Sequence, residues 1–226
     1  GTYWLGGILS NVDNFTIIHI DDGIDWTNTN TDIFSTNGYC NSLSWNGSEW
    51  TAVGVGYNGT NFTGVYVATS MDGFDWINNS NSSSLIVYGN CTSYATILPN
   101  FIQNNEDNII IASGTGNYDL MASSDTKFWI GINLFYQTNT VVWIGNKWIC
   151  GGPDGLGYSY DGINWLPIYL PFNIGTVNIL YWNGFMVLAG LNEGNFSIIY
   201  SYDGLVWFPS YNINNIINPL YGIKSL

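Results

Sequence analysis

The stretch Ser159-Tyr160-Asp161-Gly162-Ile163-Asn164-Trp165 decides the fold, because the chain repeats it. It returns as Ser201-Tyr202-Asp203-Gly204-Leu205-Val206-Trp207, and an earlier copy reads Ser70-Met71-Asp72-Gly73-Phe74-Asp75-Trp76. Two copies are incomplete. Asp22-Gly23-Ile24-Asp25-Trp26 lacks the serine, and Ser123-Ser124-Asp125-Thr126-Lys127-Phe128-Trp129 lacks the glycine. An aspartate at the start of a tight turn accepts backbone N–H bonds, glycine takes positive φ, and serine bonds locally. Each copy sits between runs rich in β-branched and aromatic residues, which is the pattern of a β-hairpin. No segment has a helical period with caps. The chain is therefore expected to be all-β, built on a repeat of about 45 residues, a period typical of stacked-sheet repeat folds.

The repeats overlay as four strands, A to D. Strand A is expected at 39–45, 92–98, 140–144 and 177–182. Strand B is expected at 50–55, 108–113, 147–150 and 185–189, with 2–6 in the first repeat. Strand C runs into each Asp-Gly turn, at 16–20, 64–70, 119–123, 157–159 and 197–201. Strand D begins near Trp26, Trp76, Trp129, Trp165 and Trp207. Trp45-Asn46-Gly47 and Trp182-Asn183-Gly184 supply hairpin turns between A and B. The first repeat lacks strand A, and 218–226 is a spare A-like strand that balances the count. A closed ring needs such a strand to remove an open edge. The same strand given to a neighbour makes a polymer.

The repeated Ser-x-Asp-Gly-x-x-Trp resembles the Asp-box, or bacterial neuraminidase repeat, of sialidase-type β-propellers, shortened by one residue. The resemblance covers five positions across nearly the whole chain and implies one five-bladed propeller domain over 1–226. The blades are 1–35 with 218–226, 36–85, 86–136, 137–173 and 174–217. It implies that the box is a folding device on the C–D turn, away from any active site. Asp22, Asp72, Asp125, Asp161 and Asp203 then set turns. Trp26, Trp76, Trp129, Trp165 and Trp207 wedge between blades, each burying about 150–250 Å². The resemblance fails at the catalytic centre. Sialidases hold the substrate carboxylate with an arginine triad, and this chain has no arginine.

Charged residues are 8% of the chain and the net charge is −13. The cations are Lys127, Lys147 and Lys224. Nucleic-acid binding needs cations against phosphate and is excluded on that ground. An anionic membrane surface is disfavoured likewise. No apolar run approaches the ~18 residues of a membrane span. The aromatic content argues against disorder. The beginning at Gly1 fits a processed secreted chain or a remnant of expression.

No catalytic or cofactor-binding set stands out. The glutamates Glu49, Glu106 and Glu193 lie in apparent turns, and Asp107, Asp119 and Asp154 lie in loops or near strand starts. No pair among them has the look of a glycosidase acid and base. His19 alone supports neither a triad nor a metal site. Loop acids or central-channel carbonyls are the candidate Ca²⁺ ligands, but no Asp-x-Asp-x-Asp-Gly loop is present. Cys40 and Cys91 open strand A of adjacent blades, where a disulfide needs Cα atoms within roughly 7 Å. Cys150 is expected as a buried thiol.

Sequons occur at Asn14, Asn46, Asn58, Asn61, Asn78, Asn81, Asn90 and Asn195. In a four-stranded meander the B–C and D–A loops share one face. Asn14, Asn58, Asn61 and Asn195 fall at B–C connections, and Asn78, Asn81 and Asn90 in the D–A connection. Only Asn46 lies on the Asp-box face. The expectation is a non-enzymatic, N-glycosylated, extracellular structural or interaction protein that self-assembles as a homo-oligomer, fibre or coat. The alternative is a glycan-binding lectin, with Tyr57, Tyr118 and Tyr158 as its exposed rings. A third is a glycoside hydrolase without the sialidase apparatus.

Overall fold

A computed structural model describes residues 4–8, 15–21, 24–29, 33–34, 37–56, 66–96, 108–134, 137–194 and 197–210. These residues form five antiparallel sheets. The first contains β1 (Trp4–Gly7), β2 (Ile17–Ile20) and β3 (Thr27–Asn28). The second contains β4 (Tyr39–Trp45), β5 (Trp50–Val55), β6 (Val67–Ser70) and β7 (Ile77–Asn78). A 3-10 turn, Ser80–Ser84, leads to the third: β8 (Ile86–Thr96), β9 (Asn108–Gly116), β10 (Leu120–Ser123) and β11 (Ile130–Ile132). The fourth holds β12 (Thr140–Trp143), β13 (Trp148–Gly152), β14 (Gly155–Ser159) and β15 (Leu166–Ile168). The fifth holds β16 (Ile174–Trp182), β17 (Val187–Gly194), β18 (Ile198–Ser201) and β19 (Phe208–Pro209). Every sheet is a simple meander in chain order. The segment 218–226, expected to complete the first sheet, lies outside the described residues.

Each first strand packs beside the first strand of the next sheet: β4 on β8, β8 on β12 and β12 on β16. An asparagine marks the same place on each. Bulges at Cys40/Ser42, Gly89/Cys91 and Val177/Ile179 leave Asn41, Asn90 and Asn178 outside the ladder, and Asn139 directly precedes β12. A bulge re-aims the side chain of its extra residue. Here three of the four side chains reach the next sheet. The amide of Asn41 donates to the Gly89 carbonyl (2.8 Å), that of Asn90 to Thr138 (3.4 Å) and that of Asn139 to Val177 (3.3 Å). Each acceptor is the residue just before the next asparagine. One position further on, Ser42 accepts from the Thr92 N–H, Thr140 accepts from the Leu180 N–H, and the Cys91 thiol donates to the Val141 carbonyl. The sheets are thus joined by a repeated polar ladder along their innermost strands.

This register corrects two expectations. The A strand of the third sheet begins at Ile86, six residues earlier than 92, and pairs with β9 through two bulges. Cys91 is therefore mid-strand. It is the counterpart of Ser42, whereas Cys40 is the counterpart of Gly89. The two cysteines are free thiols, not a disulfide. Two positions separate them in the repeat, and their sulfurs turn to different carbonyls, Ser42 for Cys40 and Val141 for Cys91.

The core lies between sheets. Four buried clusters each draw on two consecutive sheets, and a tryptophan of the later sheet packs in each. Trp76 joins Ile17, Phe34, Ala52 and Ala68. Trp129 joins Val53, Val67, Ile110 and Met121. Trp165 packs against Ile109, Ile111, Trp148 and Cys150. Trp207 joins Ile144, Ile149, Val187 and Ile199. Truncating such a side chain to alanine costs about 3–5 kcal/mol. Trp26 departs from the pattern: it is half exposed and belongs to none of these clusters. Its ring lies over Gly6 of its own sheet.

Candidate interaction surface

The Asp-Gly turns share one geometry. The serine hydroxyl donates to the aspartate Oδ1 at 3.0–3.2 Å in the turns of Asp72, Asp125, Asp161 and Asp203. The same Oδ1 accepts the N–H groups two and three residues on: Phe74 and Asp75, Lys127 and Phe128, Ile163 and Asn164, Leu205 and Val206. The tryptophan Nε1–H returns to the carbonyl of Gly73, Thr126, Gly162 or Gly204 at 3.0 Å. These glycines have φ of 77–81°. Thr126 holds the same left-handed conformation at φ 62°. Asp22 and Gly23 of the remaining copy lie outside the described residues.

All four carboxyls are held below the ordinary aspartate value. At Asp72 the N–H bonds from Asp75 and Phe74 are the main cause. At Asp125, Asp161 and Asp203 burial is the largest single influence and pushes upward, but the combined turn hydrogen bonds outweigh it. The oxygens are committed to the turn, so these aspartates act as folding devices here.

The A–B turns lie at the same end of the sheets and clasp the Asp-Gly turn of the following sheet. Asn46 Oδ1 caps its turn through the Ser48 and Glu49 N–H groups, and Asn183 Oδ1 does so through Phe185 and Met186. Glu49 then accepts the Thr126 hydroxyl. At the matching place in the fourth sheet, Lys147 donates its Nζ to the Asp203 carbonyl at 2.8 Å. Lys147 is buried, and its Nζ stands 5.7 Å from the centre of the Tyr160 ring.

Around this clasp the fourth and fifth sheets present a connected group of aromatic rings. Tyr158 meets Tyr160 edge-on (5.7 Å), Phe185 meets Tyr202 (5.3 Å), Tyr202 meets Tyr200 (5.7 Å), and Tyr200 meets Phe208 (5.6 Å). Lys147 links the two halves, between Tyr160 and the residue next to Tyr202. Tyr160 is 49% exposed, Phe185 67%, Tyr202 51% and Phe208 43%. Of this group only Tyr158 is among the rings expected from the sequence; Tyr160, Phe185, Tyr202 and Phe208 are not. The signal was present in the variable second position of the heptad, tyrosine at both 160 and 202.

The other expected candidates are scattered. Tyr118 lies over Gly131, and Tyr57 is outside the described residues. His19 stands edge-on to Phe74 and bonds Thr27, a structural setting. Asp119 caps the Leu134 N–H, Asp154 is exposed on the β13–β14 turn, and Glu106 and Asp107 are outside the described residues. Among the described residues no three His, Cys, Asp or Glu side chains gather to hold a metal ion. Burial pushes the Cys40 thiol up to about 12 and raises that of Cys91, so both stay protonated. Of the sequons, Asn46 sits on the A–B turn, while Asn78 and Asn81 are exposed in β7 and the 3-10 turn. Asn90 is in the inner strand, not the D–A connection, and its Nδ2 is bonded to Thr138. Asn14, Asn58, Asn61 and Asn195 lie outside the described residues.

The fold is that of a β-propeller. A chain in the crystal structure of a nidogen/laminin complex aligns with a TM-score of 0.61 at 8% identity, over 90% of this chain and 75% of that one. YCF48 from Cyanidioschyzon merolae aligns at 0.52 and 15% identity, over 78% and 57% of the two chains. YCF48 bound to a D1 peptide aligns at 0.55 and 14%, over 88% and 61%. The chain thus spans about three fifths of the YCF48 chains it matches. At these identities the similarity is one of fold. No family model and no curated protein matches the sequence.

Proposed function

We propose that the chain is a five-bladed propeller of the Asp-box type that works without catalysis, as a protein-interaction module outside the cell. The observation that carries this reading is the exposed aromatic group Tyr160, Phe185, Tyr202 and Phe208 on the turn face. Exposed aromatic rings clustered on a rigid scaffold are the usual anchors of protein interfaces. The solved neighbours include a nidogen/laminin complex and YCF48 with a D1 peptide, so propellers of this general form are found in protein complexes. In this reading exposed sequons such as Asn78 and Asn81 carry glycans.

The test is site-specific photo-crosslinking in native material. A benzophenone amino acid replaces Phe185 on the turn face or Tyr118 toward the opposite end. Capture of a second polypeptide from position 185 and not from 118 is the expected result. Equal capture from both positions, or none from either, counts against the turn face.

A second reading is a lectin, favoured by the same rings, since sugars stack on aromatic faces. A glycan array separates the two: binding abolished by Tyr202→Ser supports the lectin.

A further inference from the structure

The turn face combines rings with negative charge. Tyr160 and Tyr202 are each followed directly by a turn aspartate, Asp161 and Asp203, and those carboxylates stay ionised. Aromatic faces beside carboxylates favour cations, which are drawn by the ring quadrupole and by the charge together. The fold already uses this chemistry once. Lys147 places its ammonium beside the Tyr160 ring and on the Asp203 carbonyl.

We propose that the partner docks on the blade 4–5 turn face through a basic segment, with lysine or arginine side chains against the rings of Tyr160 and Tyr202. This rests on the interaction reading above and adds the chemistry of the partner. Charge complementarity selects the occupant. The chain has a net charge of −13, no arginine and three lysines. Lys147 is buried within this face, and Lys127 lies in the turn of the third sheet. A second copy therefore brings too little positive charge to this surface and too much negative. A neutral sugar gains no net charge attraction from the carboxylates. The fitting occupant is a different polypeptide carrying a basic stretch.

The experiment titrates the whole chain with three labelled peptides of equal length: deca-arginine, a neutral Gly/Ser peptide and deca-glutamate. Tyr160→Ser and Tyr202→Ser are the informative variants, because they leave the net charge unchanged and alter half-exposed side chains. Asp154→Asn is the control; it removes one charge at the opposite end of the sheets. The expected result is saturable binding of deca-arginine alone, weakened at least tenfold by either tyrosine variant and little changed by Asp154→Asn. Added salt weakens it further. Near-ultraviolet circular dichroism verifies that each variant is folded. Unchanged affinity in both tyrosine variants means bulk attraction only and overturns the proposal, as does preference for the neutral peptide. A crosslink from position 185 to a second copy of this chain, or to a polypeptide without a basic stretch, overturns it while leaving the interaction reading intact. Absence of any crosslink removes that reading as well.

Discussion

The carboxylate of Glu49 accepts a hydrogen bond from the hydroxyl of Thr126, at the one described turn where the repeated glycine is missing. A β-branched residue in the left-handed region costs about 1–2 kcal/mol. Thr126 is buried and is held from the second sheet twice, by Glu49 and by the Asn79 amide on its carbonyl. The second sheet thus supports the irregular turn of the third.

Replacing Glu49 by alanine is expected to destabilise the protein by about 1 kcal/mol, the scale of one charge-assisted hydrogen bond near the surface. In a Thr126→Gly background the cost should fall close to zero, because the hydroxyl is gone. A double-mutant cycle in urea measures the coupling. Equal costs in both backgrounds mean that the two residues are independent.

Alanine at Gly162 should cost more than alanine at Gly47. Both have positive φ, 77° and 99°, and share the left-handed penalty. A Cβ at Gly162 lies 2.9 Å from Ile111 Cδ1 of the preceding sheet, whereas at Gly47 nothing lies within 4 Å. Overpacking adds about 1–3 kcal/mol at Gly162. Thermal or urea midpoints of the two variants test this, and similar losses would show that the Gly162 turn does not press on the third sheet.

Stability should be flat at neutral pH and fall in acid. Asp72, Asp125, Asp161 and Asp203 all have folded pKa values below the ordinary 3.8. A depressed folded pKa stabilises above the unfolded value, and the gain is lost as pH falls through the folded one. The decline therefore begins near the ordinary carboxylate range and continues below it. Urea midpoints from pH 7 to pH 3 follow it, and Asp161→Asn should shallow the acid slope while lowering stability at pH 7. An unchanged slope would mean that this carboxylate is not preferentially ionised in the fold.

Removing the amide donor at Asn90 by Asn90→Asp should cost about 1 kcal/mol or more, the scale of a lost inter-sheet hydrogen bond. The same contact bears on modification. In material from a glycosylating host, Asn78 and Asn81 should carry glycan and Asn90 should not, which peptide mapping before and after deglycosylation resolves. A glycan on Asn90 would show that its Nδ2 is not held against Thr138.

The sequence by itself determined the class of fold. Local chemistry sufficed for that: an Asp-Gly turn with a trailing tryptophan has only short-range needs, so strands 39–45 and 50–55 are read to the residue. The tertiary structure decided what depends on register and on neighbouring sheets. A bulge shifts a strand by one residue without changing its composition, so Cys91 looks like a partner for Cys40 until Asn41 and Asn90 are superposed. The asparagine ladder was visible as Asn41, Asn90, Asn139 and Asn178, each four residues before an aromatic. Its meaning required the next sheet, because every acceptor lies there. The aromatic face needed the structure most. Whether a tyrosine is core or surface depends on which side of the pleat it occupies and on what packs against it. Only the packing of the fourth sheet on the fifth brings Tyr160, Lys147, Tyr202 and Phe185 together.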